Sequence, residues 1–235
     1  MPNEHISKQF DAELEAVRAK VLQMGGLVEQ QIIRAIQALT SGDMALARQV
    51  EAQDHLVNAM EVQIDEDCSH IIARRQPAAG DLRMLMAVVK TITDLERIGD
   101  EAEKIARMAQ LLHTSDRLQS PRVHEIKHVS DIALAMLRKA LDSFARLEPT
   151  TAAQVVREDI QVDEEFRSIL RQLITFMMED PRTISTSIEI LFTAKAIERI
   201  GDHAKNMAEY VIYLVKGKDV RHVTLEEVER EAASQ

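Results

Sequence analysis

Glu96-Arg97-Ile98-Gly99-Asp100 occurs a second time, letter for letter, as Glu198-Arg199-Ile200-Gly201-Asp202. Around the first copy, apolar residues recur at three- and four-residue steps: Leu85, Val88, Ile92, Leu95, Gly99, Ala102 and Ala106. That spacing predicts an amphipathic helix with one stripe turned to a core. Upstream, Ala35 to Asp54 matches Ala140 to Asp159 at a constant separation of 105 residues, pairing Leu39 with Phe144 and Gln49-Val50 with Gln154-Val155. The pentapeptides themselves are 102 residues apart. The change of offset fits a shorter connector, Pro181-Arg182 in place of Pro77-Ala78-Ala79-Gly80. Self-similarity at this period predicts a duplicated unit. The expected fold is all-α: two tandem three-helix bundles, six long antiparallel helices related by a pseudo-twofold axis. The first repeat covers 1–116 and the second 117–235, with the boundary in the polar stretch from Thr114 to Ser120.

Breakers divide the chain accordingly. The first segment runs from Ser7 to Thr40 and stops at Ser41-Gly42-Asp43. The second runs to Gln76; the third, with Asp81 as its expected N-cap, runs to His113. Ser120-Pro121 reads as an N-cap and first-turn pair opening a fourth segment that ends at Leu147. The fifth ends at Asp180-Pro181 and the sixth at Lys216, before Gly217. Glu226 to Gln235 reads as a charged tail or frayed helix.

Composition supports this. Hydrophobic residues make up 46% and aromatics 3%, with no Trp, so the core is aliphatic and Met-rich. Met84, Met86, Met177 and Met178 are read as filler for it. The net charge of −10 argues against nucleic acid, and no Lys/Arg run is long enough to override it. Cys68, the only cysteine, sits among Ile64, Ile71 and Ile72, a core position suited to a reducing compartment. The first thirty residues lack the pattern of a signal peptide, and no apolar run reaches membrane-spanning length. A cytoplasmic protein is expected.

Residues four apart share a helix face, so Glu96 points with Asp100 and Glu198 with Asp202. Both pairs lie beside the apolar stripe, with Gly99 and Gly201 inside it, where a missing side chain lets another helix approach. Carboxylates held close in low dielectric repel unless a cation or arginine neutralises them. Oxygen-only ligands suit hard divalent cations such as Mg²⁺, Mn²⁺ or Ca²⁺, with iron or zinc compatible. Two ligands do not make a site; Asp54 with Asn58, and Asp159 with Asp163, have the spacing to supply more. The alternative is solvated ion pairs to Arg97, Lys104 or Arg107, and the residues alone leave both readings open. His124 and His128 are also four apart, but on a face that reads as exposed rather than as a metal clip. The Glu-x-x-His step of di-iron bundles is absent, and no catalytic constellation appears.

The chain is similar to the PhoU family over nearly its whole length. Besides the pentapeptides, the likeness rests on Phe10-Asp11-Ala12-Glu13-Leu14-Glu15, Met24-Gly25-Gly26, Arg75-Gln76-Pro77 with Asp81-Leu82-Arg83, Met177-Met178-Glu179-Asp180 and Val215-Lys216-Gly217-Lys218-Asp219. The resemblance implies a cytoplasmic regulator of phosphate homeostasis and not an enzyme. Such a regulator couples the phosphate-specific ABC transporter, through its ATPase subunit, to the sensor histidine kinase of the phosphate regulon. It holds the starvation response off when phosphate is plentiful. It also implies metal binding at Glu96, Asp100, Glu198 and Asp202. A homodimer is expected, reaching the membrane only through partners. Lys205 stands where the first half has Glu103, which predicts a less acidic second site. A carboxylate-metal enzyme and a purely structural scaffold are the competing classes.

Overall fold

The structure, a computed structural model, describes residues 8–114 and 123–234. Among these residues there is no strand. The helices are α1 (Lys8–Ser41), α2 (Met44–Arg75), α3 (Ala79–Thr114), α4 (Val123–Arg146), α5 (Pro149–Glu179), α6 (Ile184–Lys216) and α7 (Leu225–Ala233), with a single 3₁₀ turn at Pro181–Thr183. The boundary expected between the repeats, and the Ser120-Pro121 pair, lie outside the described residues.

Local chemistry sets the helix ends. Asp43 caps α2, its Oδ1 accepting from the backbone N–H groups of Ala45 and Leu46 at 3.0 Å. Gly217 ends α6 at φ 75°, a left-handed position that glycine adopts freely. Asp81 is not the N-cap expected of it: α3 begins at Ala79, and the Leu82 N–H already bonds to the Ala78 carbonyl, which leaves Asp81 in the first turn. The C-terminal tail is also firmer than its charge suggests. Thr224 and Glu227 form a reciprocal capping box, and α7 buries Val228 and Ala232.

α1, α2 and α3 pack on one another as one bundle, and α4, α5 and α6 as its repeat; α7 lies on α5 and α6. The halves join through two equivalent pairs, α1 with α4 and α3 with α6, the second being the most extensive packing in the molecule. α3 and α6 run antiparallel, with Lys90 against Tyr210 and Tyr213, and Glu101 against Arg199. Small residues permit the close approach. A Cβ on Gly25 of α1 would lie 2.4 Å from Leu141 Cδ2 of α4. The core is aliphatic, with Met24, Met136 and Met207 inside it and Phe144 the largest fully buried side chain, whereas Met86 and Met178, expected as core filler, are exposed. Cys68 is buried, and burial pushes its thiol up to about 12, so it serves as an inert small apolar group. No helix of the described residues is long and apolar enough to cross a membrane.

Candidate metal centre and its altered repeat

Where α2 crosses α3, the missing side chain of Gly99 brings three helices together. A Cβ there would stand 3.3 Å from Gln31 Oε1 of α1, 3.4 Å from Val57 Cγ1 and 3.5 Å from Asp54 Oδ1 of α2. Beside this point Asp54, Asp100 and Glu103 place one carboxylate oxygen each within 4.8 Å of the others. Glu96 is half-buried next to them but is not a member of that trio. Burial raises the Glu96 carboxyl, and the nearby charges of Asp100, Glu61 and Asp54 add to it. Burial likewise raises Asp54, with Glu103 and Asp100 adding to it. The cluster thus disfavours its own charges, the condition that a bound cation relieves.

The polar atoms around it lack partners. Gln31 is 2% exposed, and neither its Oε1 nor its Nε2 has a hydrogen-bond partner. Asp54 Oδ1 and Asn58 Oδ1 are also buried and unpaired, although Asn58 Nδ2 donates to Asp54 Oδ2 at 3.2 Å. Buried oxygens without donors are rare in native proteins. A hard divalent cation supplies what they lack, so the donor set fits Mg²⁺, Mn²⁺ or Ca²⁺. Of the neighbouring cations, Lys104 pairs with Glu101, outside the cluster, whereas Arg107 reaches into it, pairing with Glu103 at 2.5 Å and drawing Asp54 down, with Glu51 3.9 Å away.

The second copy is built differently. Lys205 Nζ donates to Asp159 Oδ2 at 2.7 Å, and Lys195 Nζ to both oxygens of Glu198 at 2.6 and 2.5 Å. Asp202 is raised by burial, with Glu198 and Asp159 adding to it, while Lys195 pulls the other way. Asp163 faces Arg167 at 3.6 Å. Met136, fully buried, occupies the place on α4 that Gln31 has on α1. The three atoms nearest a Cβ on Gly201 are all carbons of Val162, at 3.3 to 3.7 Å. Two ammonium groups and a thioether stand where the first half has Thr93, Glu103 and an amide, so the second set offers a cation fewer free oxygens than the first. The structure therefore brings Asp100 together with Asp54 and Glu103, and seats Glu198 and Asp202 among lysines. Of the two histidines set aside above, His128 lies on the surface 3.9 Å from Glu165.

With the geometry established, similarity to known proteins locates the chain. The PhoU domain description matches residues 21–109 and again residues 126–211. The chain belongs to the PhoU family. It is 50% identical over 228 residues to the phosphate-specific transport system accessory protein PhoU homolog of Pseudomonas aeruginosa, covering 97% of this chain and 93% of that one. To the accessory protein PhoU of Escherichia coli it is 48% identical, covering 97% and 94%. The crystal structure of PhoU from P. aeruginosa superposes with a TM-score of 0.86 at 50% identity, over 89% of this chain and 100% of that one. The PhoU regulatory protein from Streptococcus pneumoniae gives 0.83 at 27% identity, over 90% and 99%. As a PhoU protein, the chain carries its motif in both repeats, and among the described residues the close oxygen cluster surrounds the first.

Proposed function

We propose that this chain is an accessory regulator of phosphate uptake that works by contact. It couples the phosphate-specific ABC transporter to the sensor histidine kinase and restrains the starvation response when phosphate is plentiful. The observation that carries this reading is identity near 50% over almost the full length of proteins named as accessories of that transport system. Those names also favour a regulator over an enzyme. Coupling requires different affinities for two states of a partner, because equal affinity shifts no equilibrium. Deleting the gene should raise a phosphate-starvation reporter in phosphate-rich medium, and the purified chain should bind the transporter's ATPase subunit or the kinase. A deletion strain that stays repressed, with no complex to either, would end the reading. Assembly as a homodimer belongs to the same proposal and is read by light scattering.

The first motif is the proposed cation site, held by Asp54, Asp100 and Glu103 with the Gln31 amide oxygen beside them and Glu96 within the same field. Bound there, the cation would supply positive charge to carboxylates that otherwise repel. The second motif, neutralised by Lys195 and Lys205, is proposed to bind far more weakly. A cation selective for the native state at a hundredfold excess over its Kd stabilises by about 2.7 kcal/mol. Mn²⁺ should therefore raise the melting temperature of the wild type and of Asp159→Asn/Asp202→Asn, but not of Asp54→Asn/Asp100→Asn. An equal response in all three would refute the assignment.

A further inference from the structure

The outer face of the α3/α6 pair, away from α1 and α4, gathers cations that lie far apart in the chain. At about 100° per residue, Lys90, Arg97 and Lys104 fall along one line of α3, spanning about 21 Å. Lys195 and Arg199 stand on the corresponding face of α6. The carboxylates in hydrogen-bond contact with this group are Glu101, shared by Lys104 at 2.8 Å and Arg199 at 2.9 Å, and Glu198, held by Lys195; Asp219 near Lys90, Glu96 near Arg97 and Asp202 near Lys195 add negative charge at longer range. Arg97 is exposed, and its pseudo-twofold environment explains why it meets no equivalent of Glu101. The repeat sets His203 in that place, and His203 Nδ1 donates to Asp94 Oδ1 at 2.7 Å instead. Lys90 lies over the rings of Tyr210 and Tyr213. A chain of net charge −10 thus carries a cation-rich strip at its pseudo-twofold seam.

Apolar side chains flank the strip. Phe192 (59% exposed), Ile188 and Leu111 stand at one end, and Leu82 and Met86 at the other. Cations in line between apolar patches complement one kind of occupant well: a helix with carboxylates along its middle and apolar residues near its ends. A bilayer would repel the remaining acidic surface, and a free phosphate ion would leave the apolar ends uncovered. We propose that the α3/α6 outer face docks an acidic amphipathic helix of a partner protein, its carboxylates over Lys90, Arg97, Lys104, Lys195 and Arg199. The proposal rests on the reading of this chain as one that works by contact, and it names the surface.

The test places the photocrosslinker p-benzoylphenylalanine at Phe192 of the full chain in phosphate-replete cells, with a second probe at Val62, exposed on α2. Cross-linked peptides are sequenced by mass spectrometry. The expected product at Phe192 is a segment of another protein with Asp or Glu and apolar residues at helical spacing. Its yield should fall about tenfold in Lys90→Glu/Arg97→Glu and about threefold in the milder Arg97→Ala. Both variants are first shown to melt like the wild type. Unchanged yield in Arg97→Ala and the double variant overturns the proposal. So do cross-links to lipid or to a second copy of this chain, or a partner caught from Val62 and not from Phe192. That last result leaves the contact reading standing, whereas the reporter experiment above decides the contact reading separately.

Discussion

Gln31 and Met136 hold equivalent positions in the two repeats, and the difference between them is a difference in purpose. Met136 fills the second bundle with carbon and sulfur; Gln31 leaves an amide buried and unpaired in the first. An unsatisfied buried polar group costs about 1–3 kcal/mol, and methionine has nearly the volume of glutamine. Gln31→Met should therefore raise the stability of chelator-treated protein to urea by about that amount while weakening Mn²⁺ binding. A variant less stable in chelator would show that the amide is satisfied. Glu209 makes a second prediction. Burial pushes its carboxyl up to about 7 from an ordinary 4.5. Between those values the native state binds more protons than the unfolded chain. Its contribution is therefore fully present below 4.5 and is lost as the pH rises towards 7. The full loss corresponds to about 3 kcal/mol. Glu209→Gln should match the wild type near pH 4 and melt higher at pH 8. Parallel melting curves at both pH values would contradict this. Neither residue stood out in the sequence, because burial of a polar side chain is set by its neighbours and not by its type.

Helices show the same division. The C-terminal end of each long helix followed from apolar periodicity and from Gly42, Pro149, Pro181 and Gly217, and the structure keeps those ends within a residue, although α3 starts three residues earlier than an Asp81 cap implies. In α7 the high charge hides two cues: Thr224 with Glu227 as a capping box, and Val228 with Ala232 one turn apart. Thr224→Ala should cost about 1 kcal/mol, seen as faster hydrogen exchange confined to Leu225–Ala233. Docking keeps the effect local: α7 packs on α5, and Arg157 Nε donates to Glu229 Oε1 at 2.6 Å. Exchange that speeds up across α5 as well would show that α7 and α5 unfold together. On α3, the seven-residue spacing of Lys90, Arg97 and Lys104 was present in the sequence but did not register as a basic run. A helix face gathers residues that the linear chain keeps apart.

At the scale of the molecule, the two repeats are bound by more than their connection. The α3/α6 seam buries Asp94 with His203, Asn206 Nδ2 donating to the same carboxylate at 3.2 Å, and pairs the buried Glu101 with Arg199 at its surface. Gly25 admits Leu141 across the α1/α4 contact. Burial on this scale outweighs the loss of one covalent link, whose entropic role is modest. Chain cut once between residues 115 and 122 should elute as one particle with unchanged helicity. Two separate folded fragments would mean that each repeat is independently stable.

Sequence by itself determined that the chain is helical, duplicated and a relative of PhoU proteins, because helix periodicity, breakers and repeated motifs are all local or self-referential signals. It also showed where the acidic segments lie and that Lys205 makes the second unlike the first. Only the tertiary structure decided which side chains meet. Asp100 joins Asp54 and Glu103 rather than Glu96 alone, Glu198 is held by Lys195, and Gln31 arrives from a helix more than sixty residues away to face Gly99 with no partner. Periodicity sets the direction in which a side chain points. What it finds there depends on how other helices pack, and packing depends on the shape of every stripe at once.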